Sequence, residues 1–178
     1  AGTLRKTKQL NKNKALTFFR RNEKETKEHN MIVDMERNDL SKICKTGSVK
    51  IDKLKKVEEY RDLFHYVTTI KGVIKNKMSN HDIISSLMPG GSVIGCPKIS
   101  TIQLLNRKEK FDRNIYTGSF GIIHSNGDMR FNIMIRTLLN FKNDIELSVA
   151  SGVILGSTAK KEYNENYIKA KSLLDLFN

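Results

Sequence analysis

Two pairs of glutamates have the spacing that places carboxylates side by side on a helix. Glu162 and Glu165 are three residues apart, and Lys169 follows one turn later in the same stripe. Glu25 and Glu28 repeat the spacing near the start of the chain. Adjacent carboxylates repel unless a cation or a proton relieves them, and Mg²⁺ accepts one or two protein carboxylates. The two pairs are compatible with one magnesium site if their helices are neighbours, or with two solvated helix faces.

A glycine-rich stretch, residues 89–98, contains both prolines and three of the eleven glycines of the chain. Glycine lets the backbone approach a ligand closely, and Pro97 suits the first turn of a helix. A helix that begins behind such a turn presents backbone N–H groups to a carboxylate or phosphate. The stretch is compatible with an anion site and also with an ordinary tight loop.

Three single residues are candidates for binding an anion or moving a proton. His65 leads a predicted strand, and histidine is the side chain whose ordinary charge change lies near neutrality, but a buried structural histidine has the same pattern. Arg136 lies in an apolar, alternating stretch, where a buried arginine needs an anion for its fork; an exposed strand-end arginine is the alternative. Tyr116 is either a hydroxyl donor to a ligand or a core ring with a hydrated tip.

The elements that must position these residues follow from the hydrophobic periodicity. Residues 1–20 are expected to form a basic loop that leads into a helix. The predicted helices cover 22–44, 81–88, 97–107 and 159–177, and the predicted strands cover 49–51, 65–74, 119–124, 130–138 and 145–149. Asn126-Gly127 predicts a hairpin turn, and a second turn is expected over 142–144. The pattern indicates an α+β fold in one domain, with a mostly antiparallel sheet flanked by helices.

Composition excludes some classes of function and leaves others open. No stretch of the 178 residues is long and apolar enough to predict a membrane span, and Cys44 and Cys96 are expected to be free thiols in a reducing cytoplasm. The net charge of +13 is compatible with nucleic-acid binding, but the lysines are scattered among acidic residues without a nucleic-acid motif. An anionic small molecule would be attracted by the same field. We therefore expect no nucleic-acid partner, and a basic nucleic-acid-binding module remains the alternative of a different class.

An ordered set of short motifs resembles the chorismate-utilising enzymes along nearly the whole chain. The motifs are Gly2-Thr3, Glu28-His-Asn-Met-Ile-Val-Asp34, Arg37-Asn-Asp39, Gly47-Ser-Val49, His65-Tyr-Val-Thr68, Pro89-Gly-Gly-Ser92, Gly95-Cys-Pro-Lys98, Tyr116-Thr-Gly-Ser119, Gly127-Asp-Met129, Ile135-Arg-Thr137, Ser151-Gly152 and Lys161-Glu-Tyr163. Each motif alone is weak, whereas the ordered set is specific. The resemblance implies a chorismate-binding fold.

The resemblance also implies a metal and catalytic groups. Glu28 and Glu165 would hold Mg²⁺, which would bind the ring carboxylate of chorismate. Glu25 and Glu162 would lie near the metal as catalytic carboxylates, acting directly or through water. His65 would lie beside the ring, near the departing hydroxyl or the incoming nucleophile.

The remaining implied roles concern substrate binding. Tyr116, Arg136 and the backbone near Gly152 would hold the enolpyruvyl carboxylate, assisted by Lys169. Ser92 and the amides of its loop would contact the ring-carboxylate side. A dianionic substrate needs such donors, and they work best when they are positioned in advance.

Local markers favour one branch of the family. Pro89-Gly-Gly-Ser92, Tyr116-Thr-Gly-Ser119 and Phe131-Asn-Ile133 resemble the aminodeoxychorismate synthases, which take ammonia from a glutamine amidotransferase subunit. Ala1 instead resembles the anthranilate synthases, because the other branch often has a nucleophilic lysine there. Cys96, Arg130 and Ala150-Ser151 depart from the usual pattern without removing an implied ligand.

The resemblance covers the C-terminal part of the family's chorismate-binding domain. Residues 1–178 are therefore expected to form the C-terminal part of a single catalytic domain. The upstream strands, which are expected to carry a further catalytic glutamate, are absent from this sequence. The 178-residue chain by itself is expected to have little or no activity.

Overall fold

Asparagine side chains fix the starts of the first two helices. In the computed structural model, Asn11 Oδ1 accepts a hydrogen bond from the Lys14 N–H where α1 (Lys12–Arg21) begins. Asn22 Oδ1 accepts from the Glu25 N–H where α2 (Glu23–Ile43) begins. Such caps satisfy N–H groups that have no partner inside the helix. The Asn22 N–H also donates to the Phe18 carbonyl, so one residue ends α1 and begins α2.

The structure describes residues 2–61, 63–142 and 144–177, and it divides into two compact units, Ala1–Leu87 and Met88–Asn178. Ala1 and the centre of the predicted 142–144 turn lie outside the described residues. In the described part of the chain, no helix is long and apolar enough to cross a membrane.

The N-terminal unit contains a three-stranded antiparallel sheet. Its strands are β1 (Thr3–Arg5), β2 (Lys50–Glu59) and β3 (Leu63–Lys71), in the order β1-β3-β2. The core consists of side chains from α1 and one sheet face: Ala15, Phe19, Val57, Phe64 and Tyr66. The rings of Phe19 and Tyr66 stack at 4.8 Å between centroids. The short helix α3 (Asn80–Leu87) ends the unit, one residue from each predicted bound.

Strand β1 is a correction to the loop predicted over residues 1–20. Thr3 pairs with His65 across the sheet, and the Tyr66 N–H donates to the Gly2 carbonyl at 3.0 Å. A three-residue strand is too short to show an alternating pattern, so periodicity does not reveal it. The predicted strand at 49–51 is also longer in the structure, where β2 extends to Glu59.

The described residues of the C-terminal unit form three helices and two antiparallel hairpins. The helices are α4 (Gly91–Ile94), α5 (Lys98–Lys108) and α6 (Ala159–Leu174), and the strands are β4 (Ser119–Ile123), β5 (Met129–Ile133), β6 (Leu138–Phe141) and β7 (Asp144–Leu147). β4 pairs with β5, and β6 pairs with β7. The Asn126-Gly127 hairpin is confirmed, with Gly127 at φ 90°. Pro97 is the N-cap of α5, one residue before the position predicted for it.

The strand predicted over 130–138 is interrupted by a turn. β5 ends at Ile133, the Ile135 N–H donates back to the Ile133 carbonyl, and Arg136 adopts a left-handed φ of 50° before β6 begins. Apolar alternation continues through the turn, so the sequence pattern does not mark the break. With this correction, the helices and antiparallel pairs confirm the α+β prediction.

Gly2 offers a test of how tightly β1 is packed. A Cβ at Gly2 would lie 2.9 Å from both Glu25 Oε2 and Phe19 Cε1, at a φ of 84°. Gly47 has a similar φ of 74° with nothing within 4 Å. We expect Gly47→Ala to cost about 1 kcal/mol of unfolding free energy through backbone strain alone. Gly2→Ala should cost about 1 to 3 kcal/mol more, because a buried ring must move.

Urea unfolding of the two variants and the unmutated chain measures the difference. Equal losses for Gly2→Ala and Gly47→Ala would contradict the packing described for β1.

Candidate functional site

In the N-terminal unit, the backbone at residues 2 and 3 contacts two predicted catalytic residues. Glu25 lies in the first turn of α2, and its Oε2 lies 2.9 Å from the point that a Cβ atom would occupy at Gly2. The next residue, Thr3, pairs directly with His65. The short strand β1 therefore links the Glu25 carboxylate to the strand that presents His65. Glu28 lies three residues further along α2 and is half-buried.

The structure separates the roles of two histidines. Phe64 and Tyr66 face the core, so His65 between them lies on the opposite face of β3 and is partly exposed. His29 is the structural histidine, because it is 2% exposed and its Nε2 lies 2.7 Å from the Thr68 hydroxyl. His29 therefore has a packing role, whereas His65 is accessible and its role in the chemistry stays a prediction.

In the C-terminal unit, one backbone position connects three predicted site residues. The Ala150 backbone acts on the Tyr116 hydroxyl and favours its charged form, and the Ala150 carbonyl accepts a bond from Lys169 Nζ at 3.2 Å. Lys169 Nζ also pairs with Glu165 Oε1 at 2.8 Å. The predicted Gly152 lies two residues further along the same segment. The contacts thus relate Tyr116, Lys169 and Glu165, whereas Gly152 is near them only along the chain.

Tyr116 and Arg136 lie on adjacent turns of this unit. The Thr117 N–H donates to the Met134 carbonyl at 2.9 Å, and the Met134 N–H donates to the Gly118 carbonyl at 2.9 Å. Thr117 and Arg136 both have left-handed φ values, 65° and 50°. Arg136 is exposed, which supports the exposed alternative over the buried one, although Arg136 lies on a turn and not at a strand end. An exposed arginine on a turn beside Tyr116 can still reach an anionic ligand.

Helix α6 places the pair Glu162 and Glu165 next to the side-chain amide of Asn166. Glu162 is 7% exposed, and Glu165 is partly exposed. Asn166, one turn after Glu162, has a buried Oδ1 without a hydrogen-bond partner among the described residues. Asn166 is not among the residues predicted from the sequence, although its i+4 spacing from Glu162 is a usable signal.

The oxygen donors of α6 suit a hard cation. Carboxylate and amide oxygens are the ligands that Mg²⁺ prefers, and it completes its shell with water and ligand oxygens. Within the described ranges, no group of three or more His, Cys, Asp or Glu side chains could hold a metal ion. The residues of α6 therefore fit Mg²⁺ by their chemistry, as part of a site that needs further oxygens.

A second residue not predicted from the sequence, Arg113, connects the glycine-rich stretch to the Tyr116 turn. Its Nη1 donates to the Val93 carbonyl and to the Thr117 hydroxyl, each at 3.2 Å. Its Nε and Nη2 bind the Glu109 carboxylate at 2.7 and 2.6 Å. Those bonds from Arg113 hold the pKa of Glu109 below its usual value. The predicted Ser92 is exposed in α4, next to Val93.

Burial controls the protonation of Tyr116. The pKa of its hydroxyl is raised because burial disfavours the phenolate, although the Arg113 charge and the Ala150 backbone act in the opposite direction. A recess lined in part by Tyr116 has a volume of about 10 Å³, which is room for one water molecule. Tyr116 therefore keeps its proton at neutral pH and presents a neutral hydroxyl.

The raised pKa predicts a specific alkaline titration. The absorbance change of the unmutated chain minus that of Tyr116→Phe should have a midpoint above about pH 10, the ordinary tyrosine value. The folded state favours protonated Tyr116, so its contribution to stability is present below pH 10 and is lost as pH rises through the raised pKa. Repeating the subtraction in urea should return the midpoint to about 10. A folded midpoint at or below that value would show that Tyr116 is not buried as described.

Comparisons with known proteins agree on one family for this chain. The chain matches the chorismate binding enzyme family over residues 1–175. It is 38% identical over 153 residues to an anthranilate synthase component I-like protein of Synechocystis, covering 86% of this chain and 32% of that protein. It is also 38% identical over 149 residues to aminodeoxychorismate synthase component 1 of Bacillus subtilis, covering 84% of this chain and 32% of that protein.

A solved structure agrees with these relatives. The crystal structure of anthranilate synthase component I from Streptococcus pneumoniae superposes with a TM-score of 0.76 at 35% identity, covering 88% of this chain and 36% of that one. This chain therefore spans about a third of the length of these relatives. The ordered motifs, the α+β architecture and the match over residues 1–175 lead to one conclusion: the chain belongs to the chorismate binding enzyme family.

Proposed function

We propose that this chain is the C-terminal part of the chorismate-binding catalytic domain of an aminodeoxychorismate synthase component I in the cytoplasm. The reaction is the Mg²⁺-dependent amination of chorismate to 4-amino-4-deoxychorismate, which leads to p-aminobenzoate and folate. A separate glutamine amidotransferase subunit supplies the ammonia. The observation that carries the proposal is the connected group of donors around Ala150, because it gathers residues whose motifs imply carboxylate binding.

Three donors of different chemistry bind the enolpyruvyl carboxylate in this proposal. Tyr116 offers a neutral hydroxyl, Arg136 a guanidinium and Lys169 an ammonium, with the backbone near Gly152 beside them. Lys169 is held by Glu165 and by the Ala150 carbonyl before the ligand arrives. Donors fixed in advance stabilise an anion more strongly than donors that must reorganise.

Other residues contact the ring of chorismate in this proposal. Ser92 and the amides of α4 contact the ring-carboxylate side, and His65 lies beside the departing hydroxyl, where it can move a proton. Glu25 and Glu162 act as acid or base groups near that position. Glu28 and Glu165 would hold Mg²⁺, which when bound supplies positive charge for the ring carboxylate.

The choice of reaction product depends on short sequence markers and not on overall identity. Identity is 38% to the aminodeoxychorismate synthase of Bacillus subtilis and 38% to the anthranilate synthase-like protein of Synechocystis, so identity favours neither. The amination product rests on the sequence markers in the segments 89–92, 116–119 and 131–133. The second candidate is anthranilate synthase component I, which makes anthranilate and pyruvate from chorismate; Ala1 favours it.

A product assay tests the proposed reaction. The full-length product of the gene that encodes this chain is incubated with chorismate, ammonia and Mg²⁺, and the products are separated chromatographically. We expect 4-amino-4-deoxychorismate without pyruvate. Anthranilate with an equal amount of pyruvate would transfer the assignment to the second candidate. Recovery of unchanged chorismate would contradict both.

Variants of that protein test the assigned carboxylate. Glu165→Ala should lower Mg²⁺-dependent turnover by about 100-fold, because it removes a proposed metal ligand and the partner of Lys169. The matched control is Glu23→Ala, whose side chain is 88% exposed on α2; it should leave turnover unchanged. Unchanged turnover in a folded Glu165→Ala protein would remove Glu165 from the site.

A further inference from the structure

Arg113 joins three segments of the C-terminal unit. Its guanidinium binds Glu109 just after α5, the Val93 carbonyl of α4 and the Thr117 hydroxyl of the Tyr116 turn. The Arg113 side chain is only 23% exposed, so solvent screens these bonds less than it screens a surface pair.

We propose that Arg113 is a positioning residue, which sets the spacing between Ser92 on α4 and the hydroxyl of Tyr116. This inference rests on the proposed function, in which those two groups contact opposite ends of one dianionic substrate. Arg113 contacts no proposed substrate position itself. It acts by holding the two segments that do.

Both segments need an external anchor. Helix α4 has only four residues, and so short a helix is not stable without tertiary contacts. Thr117 has a left-handed φ of 65°, which is unfavourable for a side chain branched at Cβ. The bonds from Arg113 to Val93 and Thr117 provide an anchor for each segment.

Arginine is suited to this task because its donors have a fixed geometry. The Glu109 carboxylate accepts hydrogen bonds from Nε and Nη2 of Arg113, and this two-point contact fixes the plane of the guanidinium. Nη1 is then directed at Val93 and Thr117 together. The Thr117 hydroxyl accepts from Arg113 and donates to the Tyr116 carbonyl at 2.5 Å, so the chain of bonds reaches the Tyr116 backbone. A lysine keeps the charge but has no planar fork.

The test compares Arg113→Lys with Arg107→Lys, a matched control at an exposed arginine in the last turn of α5. Both variants are made in the full-length product of the gene. Hydrogen exchange is measured for the amides of residues 91–95 and 116–118, and the affinity for chorismate is measured by calorimetry with Mg²⁺ present.

We expect Arg113→Lys to exchange at least about tenfold faster in both segments and to bind chorismate about 10 to 100-fold more weakly, the range typical of residues that orient a site. Arg107→Lys should change neither quantity. Glu109→Gln should give a smaller change of the same kind, because the bonds to Val93 and Thr117 remain. Restoring arginine at position 113 should restore both.

Several outcomes would overturn the inference. Unchanged exchange in Arg113→Lys would show that Arg113 does not hold the segments. Faster exchange with unchanged affinity would show a structural role without a positioning role. If the unmutated protein binds no chorismate, the proposed function fails and the positioning of a chorismate site fails with it, while the exchange data alone still decide whether Arg113 joins α4 to the Tyr116 turn.

Discussion

Thr117 and Arg136, neither of which is glycine, adopt left-handed backbone conformations on turns that are hydrogen-bonded to each other. Each such conformation costs about 1 to 2 kcal/mol, so it persists only where surrounding contacts fix it. Here the contacts are the paired backbone bonds between the Thr117–Gly118 segment and Met134, together with the bond from Arg113 to the Thr117 hydroxyl. The arrangement takes Tyr116 and Arg136 out of the alternating geometry of a strand and onto neighbouring turns.

The donors proposed for the carboxylate, on these turns and on α6, differ in charge and in how they are held. Tyr116 stays neutral because burial raises its pKa more than the Arg113 charge and the Ala150 backbone lower it. Lys169 is held by Glu165 and by the same residue, Ala150. A positively charged chain attracts an anion over a distance, whereas in the proposed function these fixed donors would determine where a carboxylate binds. Long-range charge and local geometry therefore act at different stages of binding.

Much of the fold follows from the sequence, because long periodic segments carry a strong signal. The helix predicted over 22–44 is Glu23–Ile43, and the helix predicted over 81–88 is Asn80–Leu87. The three residues of β1 and the turn at Arg136 carry no comparable signal, since one is too short and the other continues the apolar alternation. The candidate glutamates are identifiable from helical spacing. The connection of Tyr116 to Lys169 runs through the Ala150 backbone, which no side-chain pattern encodes, and Arg113 is recognisable only from its three-dimensional contacts.

The central claim is that the adjacent turns of Tyr116 and Arg136 bind a carboxylate of chorismate. The most direct measurement is a calorimetric titration of chorismate, with Mg²⁺ present, into the full-length gene product and its Arg136→Lys variant. The account predicts saturable binding to one site per chain and an affinity at least about tenfold lower in Arg136→Lys, because lysine cannot make the two-point contact. Equal affinity in the two proteins, or no binding to the unmutated protein, would contradict it.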